Sequence, residues 1–191
     1  MLAVRGLIPG VGANSPPPEV LLEGLTLRHP SLQTAQEKCD LVAANRGYLA
    51  AWLPWPKDFT LDQAQDDARP RPLTIRAGRL LPYDLLAENE RIVGDMKLYR
   101  RKGGSMKLGY WLAEREQGKG YIRQAAPAVV EIGFRNLGLE LINLHIERSN
   151  QRSQEVARFL GARLTDQVER PTINGKVRNL DVWEVNRYDY F

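Results

Sequence analysis

The sequence has few of the features that mark exported, membrane-embedded or disulfide-rich proteins. Its one cysteine, Cys39, cannot form an internal disulfide, so nothing indicates an oxidising compartment. No apolar run is long enough to cross a bilayer. Residues 1–18 have neither a charged leader nor an adequate hydrophobic core, which makes them a poor signal peptide. These absences leave the cytoplasm as the expected location.

Length and composition predict one globular domain. The chain has 191 residues, of which 43% are hydrophobic and 26% charged. We expect a flexible lead-in over residues 1–19, which include the run GVGANSPPP, and a single domain over residues 20–191. The net charge of +4 and the pI of about 9.3 suit anionic ligands. That charge is too diffuse to indicate a nucleic-acid partner, and no membrane partner is expected.

The hydrophobic periodicity predicts an α/β fold with a mixed, mostly antiparallel central sheet flanked by helices. Ser31 and Thr60 are the predicted N-caps of two early helices. Asn174-Gly175, between the last two strands, is the strongest hairpin signal in the chain. The predicted strands are 20–28, 80–87, 91–100, 107–113, 141–147, 163–170 and 177–185. The predicted helices are 31–45, a short one around 48–52, then 60–69, 73–78, 122–137 and 150–160.

The stretch 107–123, KLGYWLAEREQGKGYIR, is predicted to form a strand, a glycine turn and the start of a helix. Such a junction leaves backbone N–H groups without intrahelical partners at the positive end of the helix dipole, which is a binding site for phosphate. It is not a dinucleotide fingerprint, because Arg123 stands where a third glycine is needed. It is not a Walker loop either, because Tyr121 follows Gly120. An ordinary turn with no ligand remains the alternative.

A second strand–helix junction carries Asn150 and Ser153. Taken alone, Asn150 is predicted to be a helix N-cap and Ser153 an ordinary residue of the first turn. Two neighbouring parallel strands that each pass into a helix can splay apart, however, and an extended ligand can insert between them. We therefore predict a splay between the fourth and fifth strands, 107–113 and 141–147.

These motifs together resemble the GNAT superfamily of acetyltransferases. Arg115-Glu-Gln-Gly118-Lys-Gly120 looks like its acetyl-CoA loop, and Asn150-x-x-Ser153 with Gly161 resembles its next motif. Asn45-Arg46 and the stretch 52–55, WLPW, resemble the RimJ/RimL branch, which acetylates N-terminal amines of ribosomal proteins. The likeness spans about residues 20–186. It implies acetyl-CoA as the cofactor and no metal, with cofactor contacts at Trp111, Leu112, Ala113, Arg115, Gln117, Gly118, Lys119, Gly120, Tyr121, Ile122, Asn150 and Ser153.

The resemblance also implies catalytic roles, and it leaves the base open. In many members a tyrosine acts as the general acid at the position where this chain has Ala157. RimL-like enzymes instead use the serine at the Ser153 position, and we predict that Ser153 is the general acid here. Glu169 is the first candidate base, although Pro171 aligns better with the family position, and Glu147 is the second. Asp95 is a further candidate if it faces the cleft. Each carboxylate has the alternative role of a solvated or salt-bridged surface group.

The predicted function is acetyl transfer from acetyl-CoA to a primary amine. The acceptor is a protein N-terminal α-amine or a small amine such as a polyamine, an amino acid or a drug. A GNAT-like module that binds CoA without catalysis is the alternative from a different class, and RNA binding rests on charge alone. RimL-like proteins often pair, which makes a homodimer plausible, although no heptad or sustained apolar stripe indicates it.

Overall fold

The structure of the chain is a computed structural model that describes residues 15–69, 72–100 and 106–191. The strands in these ranges are Glu19–Leu22 (β1), Leu25–Arg28 (β2), Leu80–Ala87 (β3), Ile92–Arg100 (β4), Met106–Leu112 (β5), Leu141–Glu147 (β6), Arg163–Glu169 (β7), Thr172–Ile173 (β8), Lys176–Val177 (β9) and Leu180–Asn186 (β10). The helices are Ala35–Ala44 (α1), Arg46–Leu49 (α2), Leu61–Ala68 (α3), Pro72–Arg76 (α4), Tyr121–Asn136 (α5), Gln151–Phe159 (α6) and Arg187–Tyr190 (α7).

Eight strands form one sheet in the order β1-β2-β3-β4-β5-β6-β10-β7, and β8 and β9 form a separate small hairpin. Neighbouring strands pair antiparallel throughout the large sheet except at the centre, where β5 and β6 run parallel. The predicted mixed, mostly antiparallel sheet flanked by helices is confirmed. No helix in the described ranges has the length and apolar character needed to cross a membrane.

The sheet is covered on both faces, and β5 contributes to both cores. Leu108 and Leu112 pack into the main core, which β5 shares with α5 and α6. The side chain of Trp111 points to the opposite face of the strand and packs into a second cluster formed with α1, α2 and α3. Because β5 is fixed from both faces, its backbone provides a rigid wall for the site described below.

Pro127 lies inside α5, where the sequence predicts a kink or a lost hydrogen bond. The helix runs from Tyr121 to Asn136 without interruption. Proline has no N–H, so one intrahelical hydrogen bond is missing at this position. The Pro127 carbonyl also accepts a hydrogen bond from the Tyr190 hydroxyl at 3.2 Å, which ties α5 to α7.

Two early predictions are wrong. The predicted strand 20–28 is the hairpin of β1 and β2, because Gly24, with φ of +69°, turns the chain in its middle. Ser31 does not cap the following helix through a backbone hydrogen bond. Its hydroxyl lies 3.1 Å from that of Thr34, and a 3-10 turn precedes α1.

Other local signals are confirmed. Thr60 caps α3 in a full capping box with Gln63, and α4 lies within the predicted helix 73–78 apart from its first residue. The pair Asn174-Gly175 forms a hairpin turn with positive φ at both residues, as predicted. It joins the short strands β8 and β9 rather than the last two long strands, because the predicted strand 177–185 is divided into β9 and β10. Helix α7 was not predicted.

The predicted lead-in 1–19 falls mostly outside the described residues. Its described part is attached to the domain, because the Pro17 carbonyl accepts a hydrogen bond from the Tyr83 hydroxyl at 2.6 Å. The Ser15 carbonyl accepts another from Asn136 Nδ2 at 3.2 Å.

Candidate active site

A gap opens between β5 and β6 at the centre of the sheet. Within the described residues, the two strands pair at Met106 with Ile142 and at Lys107 with Asn143, and at no later position. Beyond these residues β5 stays on β4 up to Leu112, whereas β6 stays on β10 up to Glu147. The predicted splay is therefore confirmed, and its two sides are the facing edges of β5 and β6.

The main chain of β5 presents one N–H to the gap near its end. The Ala113 N–H donates to the Val93 carbonyl on β4 at 2.9 Å. Hydrogen-bonded and non-hydrogen-bonded pairs alternate along an antiparallel ladder, so the next pair, Gly94 with Leu112, is of the second kind. The Leu112 N–H therefore points away from β4 and towards the gap. Of the three predicted contacts 111–113, Leu112 is the one whose main-chain N–H faces the gap.

The glycine turn after β5 exposes a row of backbone donors. Gly118 and Gly120 adopt φ of +79° and +81°, which glycine tolerates best. Among the residues that the structure describes, the N–H groups of Gly118, Lys119, Gly120, Tyr121 and Ile122 donate to no other group of the protein. They lie at the start of α5, where the helix dipole favours an anion. The turn therefore has the donors that a diphosphate requires.

Glu116 holds this turn against the sheet. Its carboxylate is buried and accepts hydrogen bonds from Lys119 Nζ at 2.8 Å and from Arg91 Nη2 at 2.9 Å. The bond from Lys119, with help from Arg91, lowers the pKa of Glu116 despite its burial. The same contact raises the pKa of Lys119. Lys119 thus stays charged beside the donor row, while Arg115 lies exposed on the preceding 3-10 turn.

Asn150 and Ser153 lie on the opposite side of the gap, at the start of α6. Asn150 Oδ1 accepts a hydrogen bond from the Ser153 N–H at 3.1 Å, so Asn150 is the N-cap of α6. Ser153 Oγ in turn accepts one from the Tyr110 hydroxyl on β5, also at 3.1 Å. This second bond joins the two sides of the gap.

Gln117 makes another contact across the gap. Its side-chain oxygen accepts a hydrogen bond from Arg152 on α6, and its side-chain nitrogen donates to the Tyr48 hydroxyl on α2. The backbone of the β5 end is also tied to this region, since the Glu114 N–H donates to Asn45 Oδ1 at 2.9 Å. Side chains therefore bridge the gap at two points.

The three candidate bases occupy different environments. Asp95 is buried with Lys38, whose Nζ lies 2.8 Å from it and 2.8 Å from Asp84. Burial is the largest single influence and would raise the pKa of Asp95, but the charges of Lys38 and Lys97 and the hydrogen bond from Lys38 act together to lower that pKa. Glu169 lies on β7, and its carboxylate is 2.8 Å from Nδ1 of the buried His145. Asp95 and Glu169 are thus both engaged within the protein.

Glu147 ends β6 beside the gap, and one of its oxygens is unused. Oε1 accepts hydrogen bonds from Arg178 Nη1 at 2.8 Å and from the Ser149 hydroxyl at 3.0 Å. Oε2 is buried and has no hydrogen-bond partner among the described residues. An unpaired carboxylate oxygen is costly to bury, so it marks a position suited to an incoming donor.

A groove of about 380 Å³ lies beside Glu147, and we call it the acceptor groove. The β8–β9 hairpin is fastened next to it, because Asn174 Nδ2 donates to the Ala50 carbonyl at 2.7 Å and Arg178 Nη2 donates to the Ala51 carbonyl at 3.2 Å. The residues that line the acceptor groove are Glu147, Arg148, Ser149, Lys176, Val177, Arg178 and Asn179.

Sequence reasoning missed the side chains that join distant segments at this site. The sequence predicts a strand at Tyr110 and a short helix at Tyr48, but no contact for either hydroxyl. Arg152 was an unnamed position between Asn150 and Ser153. The alternation along β5 places Tyr110 on the side of Leu108 and Leu112, which face α5 and α6. That alternation was the one signal that could have directed the Tyr110 hydroxyl towards Ser153.

Comparisons with known proteins identify the family and the fold. The family model of the acetyltransferase (GNAT) domain matches residues 24–163, and the comparison with curated protein sequences found no match. RimL, a ribosomal L7/L12 alpha-N-protein acetyltransferase solved with coenzyme A, superposes with a TM-score of 0.77 at 20% identity, covering 86% of this chain and 95% of its own. The Vibrio fischeri ribosomal-protein-S5-alanine acetyltransferase superposes with a TM-score of 0.80 at 19% identity, covering 91% of this chain and 98% of its own. Microcin C7 self immunity acetyltransferase MccE, solved with acetyl-CoA and AMP, superposes with a TM-score of 0.76 at 18% identity. The match covers 91% of this chain and 98% of MccE.

Proposed function

This chain belongs to the GNAT acetyltransferase family, and we propose that it transfers the acetyl group of acetyl-CoA to the α-amine at the N-terminus of a protein. The observation that carries the proposal is the row of free N–H groups from Gly118 to Ile122 beside the gap where β5 and β6 separate. A thioester cofactor with a diphosphate and a long amide-containing arm matches both features. The fold shared with ribosomal-protein acetyltransferases supports the choice of acceptor.

In this proposal the diphosphate binds the N–H groups of residues 118–122, and the pantetheine arm follows the edge of β5 into the gap. Arg152 now pairs with the neutral amide of Gln117. A diphosphate beside Gln117 offers it a charged partner, and charge-assisted hydrogen bonds are the stronger kind. Arg152 therefore exchanges Gln117 for the diphosphate when the cofactor enters. Asn150 lies on the same side and contacts the arm.

The chemical step needs three groups. The amine nitrogen attacks the acetyl carbonyl carbon, and the N–C bond forms as the C–S bond breaks. The Leu112 N–H stabilises the negative charge on the carbonyl oxygen. Ser153 donates a proton to the leaving thiolate, and Glu147 accepts the proton that the amine loses. Of the predicted carboxylates we assign this role to Glu147, because its Oε2 is unpaired and lies at the end of β6.

The acceptor approaches through the acceptor groove. Its open shape suits the end of a polypeptide, and Glu147 lies at the point where an amine must arrive. Lys176 and Arg178 place positive charge along the rest of the groove. We therefore expect acceptors whose first residues after the amine are neutral or acidic rather than basic.

The experiment that tests the proposal is an acetylation screen that measures thiol release from acetyl-CoA. It compares peptides of ribosomal-protein N-termini with the same peptides blocked at the α-amine, and with polyamines, amino acids and aminoglycosides. We expect turnover of free peptides and none of blocked ones. Turnover of small amines alone would contradict the proposed acceptor. Acetyl-CoA binding without turnover of any amine would support a non-catalytic CoA-binding module instead.

Two predictions from the sequence still stand as predictions. A homodimer is one, and light scattering coupled to size-exclusion chromatography measures it directly. The cytoplasmic location is the other, and a fluorescent fusion followed by cell fractionation tests it.

A further inference from the structure

The side chains of Tyr110 and Ser153 form a hydrogen bond to each other. Tyr110 lies on β5 and Ser153 on α6, so the bond between their hydroxyls spans the gap in which the thioester is placed. Tyr110 packs against the main core, and its hydroxyl has one described hydrogen-bond partner, Ser153 Oγ at 3.1 Å. The proposed function assigns no role to the Tyr110 side chain.

The direction of this bond determines what Ser153 can do. A serine hydroxyl has one hydrogen and two acceptor lone pairs. Tyr110 donates to one lone pair, and the Ser153 main-chain N–H is already used by Asn150. The Ser153 hydrogen is consequently left to point at a third group. In the proposed complex with acetyl-CoA, the thioester sulfur is the group available to it.

The helix itself does not supply a second hydroxyl at this place. Many members of the family have a tyrosine as general acid at the position of Ala157, and Ala157 is fully buried in the main core. Tyr110 reaches Ser153, one turn earlier on α6, from the strand side. A tyrosine hydroxyl is thus present near the reacting centre, although it comes from a different element.

We propose that Tyr110 is a positioning residue that directs the Ser153 hydroxyl onto the sulfur of the bound cofactor. The inference rests on the proposed function, because it takes Ser153 as the donor to the thiolate. Tyr110 does not touch the sulfur in this account. It acts by occupying one lone pair of Ser153 Oγ and by polarising the Ser153 O–H, since chains of hydrogen bonds strengthen one another.

The state of the Tyr110 hydroxyl is consistent with this role. Burial raises the pKa of Tyr110 to about 12. The hydroxyl therefore keeps its proton at neutral pH and acts as a permanent donor to Ser153.

The experiment measures the pKa of the CoA thiol in the binary complex, which needs no knowledge of the acceptor. Ultraviolet absorbance of the thiolate is followed against pH as a difference spectrum from the CoA-free protein. A hydrogen bond donated to the thiolate favours the charged form and lowers the thiol pKa. Removing it must raise that pKa. The variants are Ser153→Ala, Tyr110→Phe, their double mutant and the control Tyr190→Phe. Tyr190 is a suitable control because burial also raises its pKa to about 12, yet its hydroxyl contacts Pro127.

We expect Ser153→Ala to raise the thiol pKa by about one unit, the size of one hydrogen bond to a charged group. Tyr110→Phe should raise it by part of that amount, the double mutant no further than Ser153→Ala, and Tyr190→Phe not at all. A shift in Ser153→Ala with none in Tyr110→Phe overturns the inference and leaves the proposed function intact. No shift in Ser153→Ala removes the proposed role of Ser153 and the inference with it. Failure of the wild type to bind CoA overturns the proposed function itself.

Discussion

The cofactor side and the acceptor side of the site are built from different parts of the chain. In the proposed function the cofactor side comes largely from the stretch 107–123, whose donors are main-chain N–H groups, and the start of α6 adds Asn150, Arg152 and Ser153. The acceptor side joins the loop 50–53, Glu147 and the β8–β9 hairpin through side-chain hydrogen bonds. A site made of local backbone geometry can be read from sequence, whereas one made of distant side chains needs the fold.

The largest effect should come from Gly94, which supports the β5 wall of the cofactor side. A Cβ at this position would lie 2.1 Å from the Trp111 carbonyl oxygen, a backbone atom that cannot move without shifting β5. We expect Gly94→Ala to cost about 3 kcal/mol of unfolding free energy, as severe overpacking does, and to abolish CoA binding. Urea denaturation and calorimetry measure the two effects. Gly47→Ala is the control, since nothing lies within 4 Å of its Cβ. Equal stabilities for the two variants would show that β4 and β5 can separate freely.

Gly120→Val, compared with a matched control, should distinguish the stability lost to backbone strain from the CoA affinity lost when a side chain blocks the turn. Its φ of +81° makes any side chain cost about 1–2 kcal/mol of stability, and the side chain also covers the donor row. Gly138→Val is the matched control, because Gly138 has φ of +65° and equally open surroundings but lies at the far end of α5. We expect similar stability losses in both variants and at least tenfold weaker CoA binding in Gly120→Val alone. Equal CoA affinities would argue against a diphosphate on this turn.

Arg152→Ala tests the proposed contact with the diphosphate. Losing one charge-assisted hydrogen bond, worth about 1.5 kcal/mol, should weaken acetyl-CoA binding about tenfold. Acetyl-pantetheine has no diphosphate, so its affinity should stay unchanged. Arg158→Ala on the same helix, whose guanidinium stacks on Trp183, is the control. A parallel loss for both ligands would mean that Arg152 acts only by shaping α6.

Asn174→Gly should act on the acceptor side alone. Glycine keeps the positive φ of this turn position but removes the amide that donates to the Ala50 and Leu53 carbonyls. We expect the KM for the acceptor peptide to rise about fivefold, in line with a hydrogen bond worth about 1 kcal/mol, with the CoA affinity unchanged. Steady-state kinetics and calorimetry test this separation. A matching drop in CoA affinity would show that the two sides are not independent.

The smallest effect should come from Glu116, and it should depend on pH. The folded-state pKa of this group is lowered by Lys119 and Arg91, so its stabilisation is present above the unfolded pKa and is lost as the pH falls through the folded value. Glu116→Gln should therefore be less stable than wild type at neutral pH, and the difference should shrink in acid. Glu114→Gln, an exposed neighbour, should show no such trend. A pH-independent difference would assign the effect to packing.

The same contrast explains what the sequence could and could not predict. The glycine turn and the change from strand to helix periodicity are local, so the turn at the start of α5 and the splay were predicted correctly, whereas phosphate binding at that turn stays a prediction. The hairpin of β1 and β2 was missed because Gly24 was read as one residue of a continuous strand. The ties from Gln117 to Tyr48 and from Tyr110 to Ser153 were missed because each joins segments at least 43 residues apart. No periodicity within either segment indicates such a pair.

The most direct test of the account is an amide NMR titration of the wild-type protein with CoA. We expect the N–H resonances of Gly118 to Ile122 and of Leu112 to move on binding, as free donors gain acceptors, while those of the hairpin turn at Asn174 and Gly175 stay in place. Binding of CoA that leaves the resonances of residues 118–122 unchanged would contradict the claim that these donors hold the cofactor.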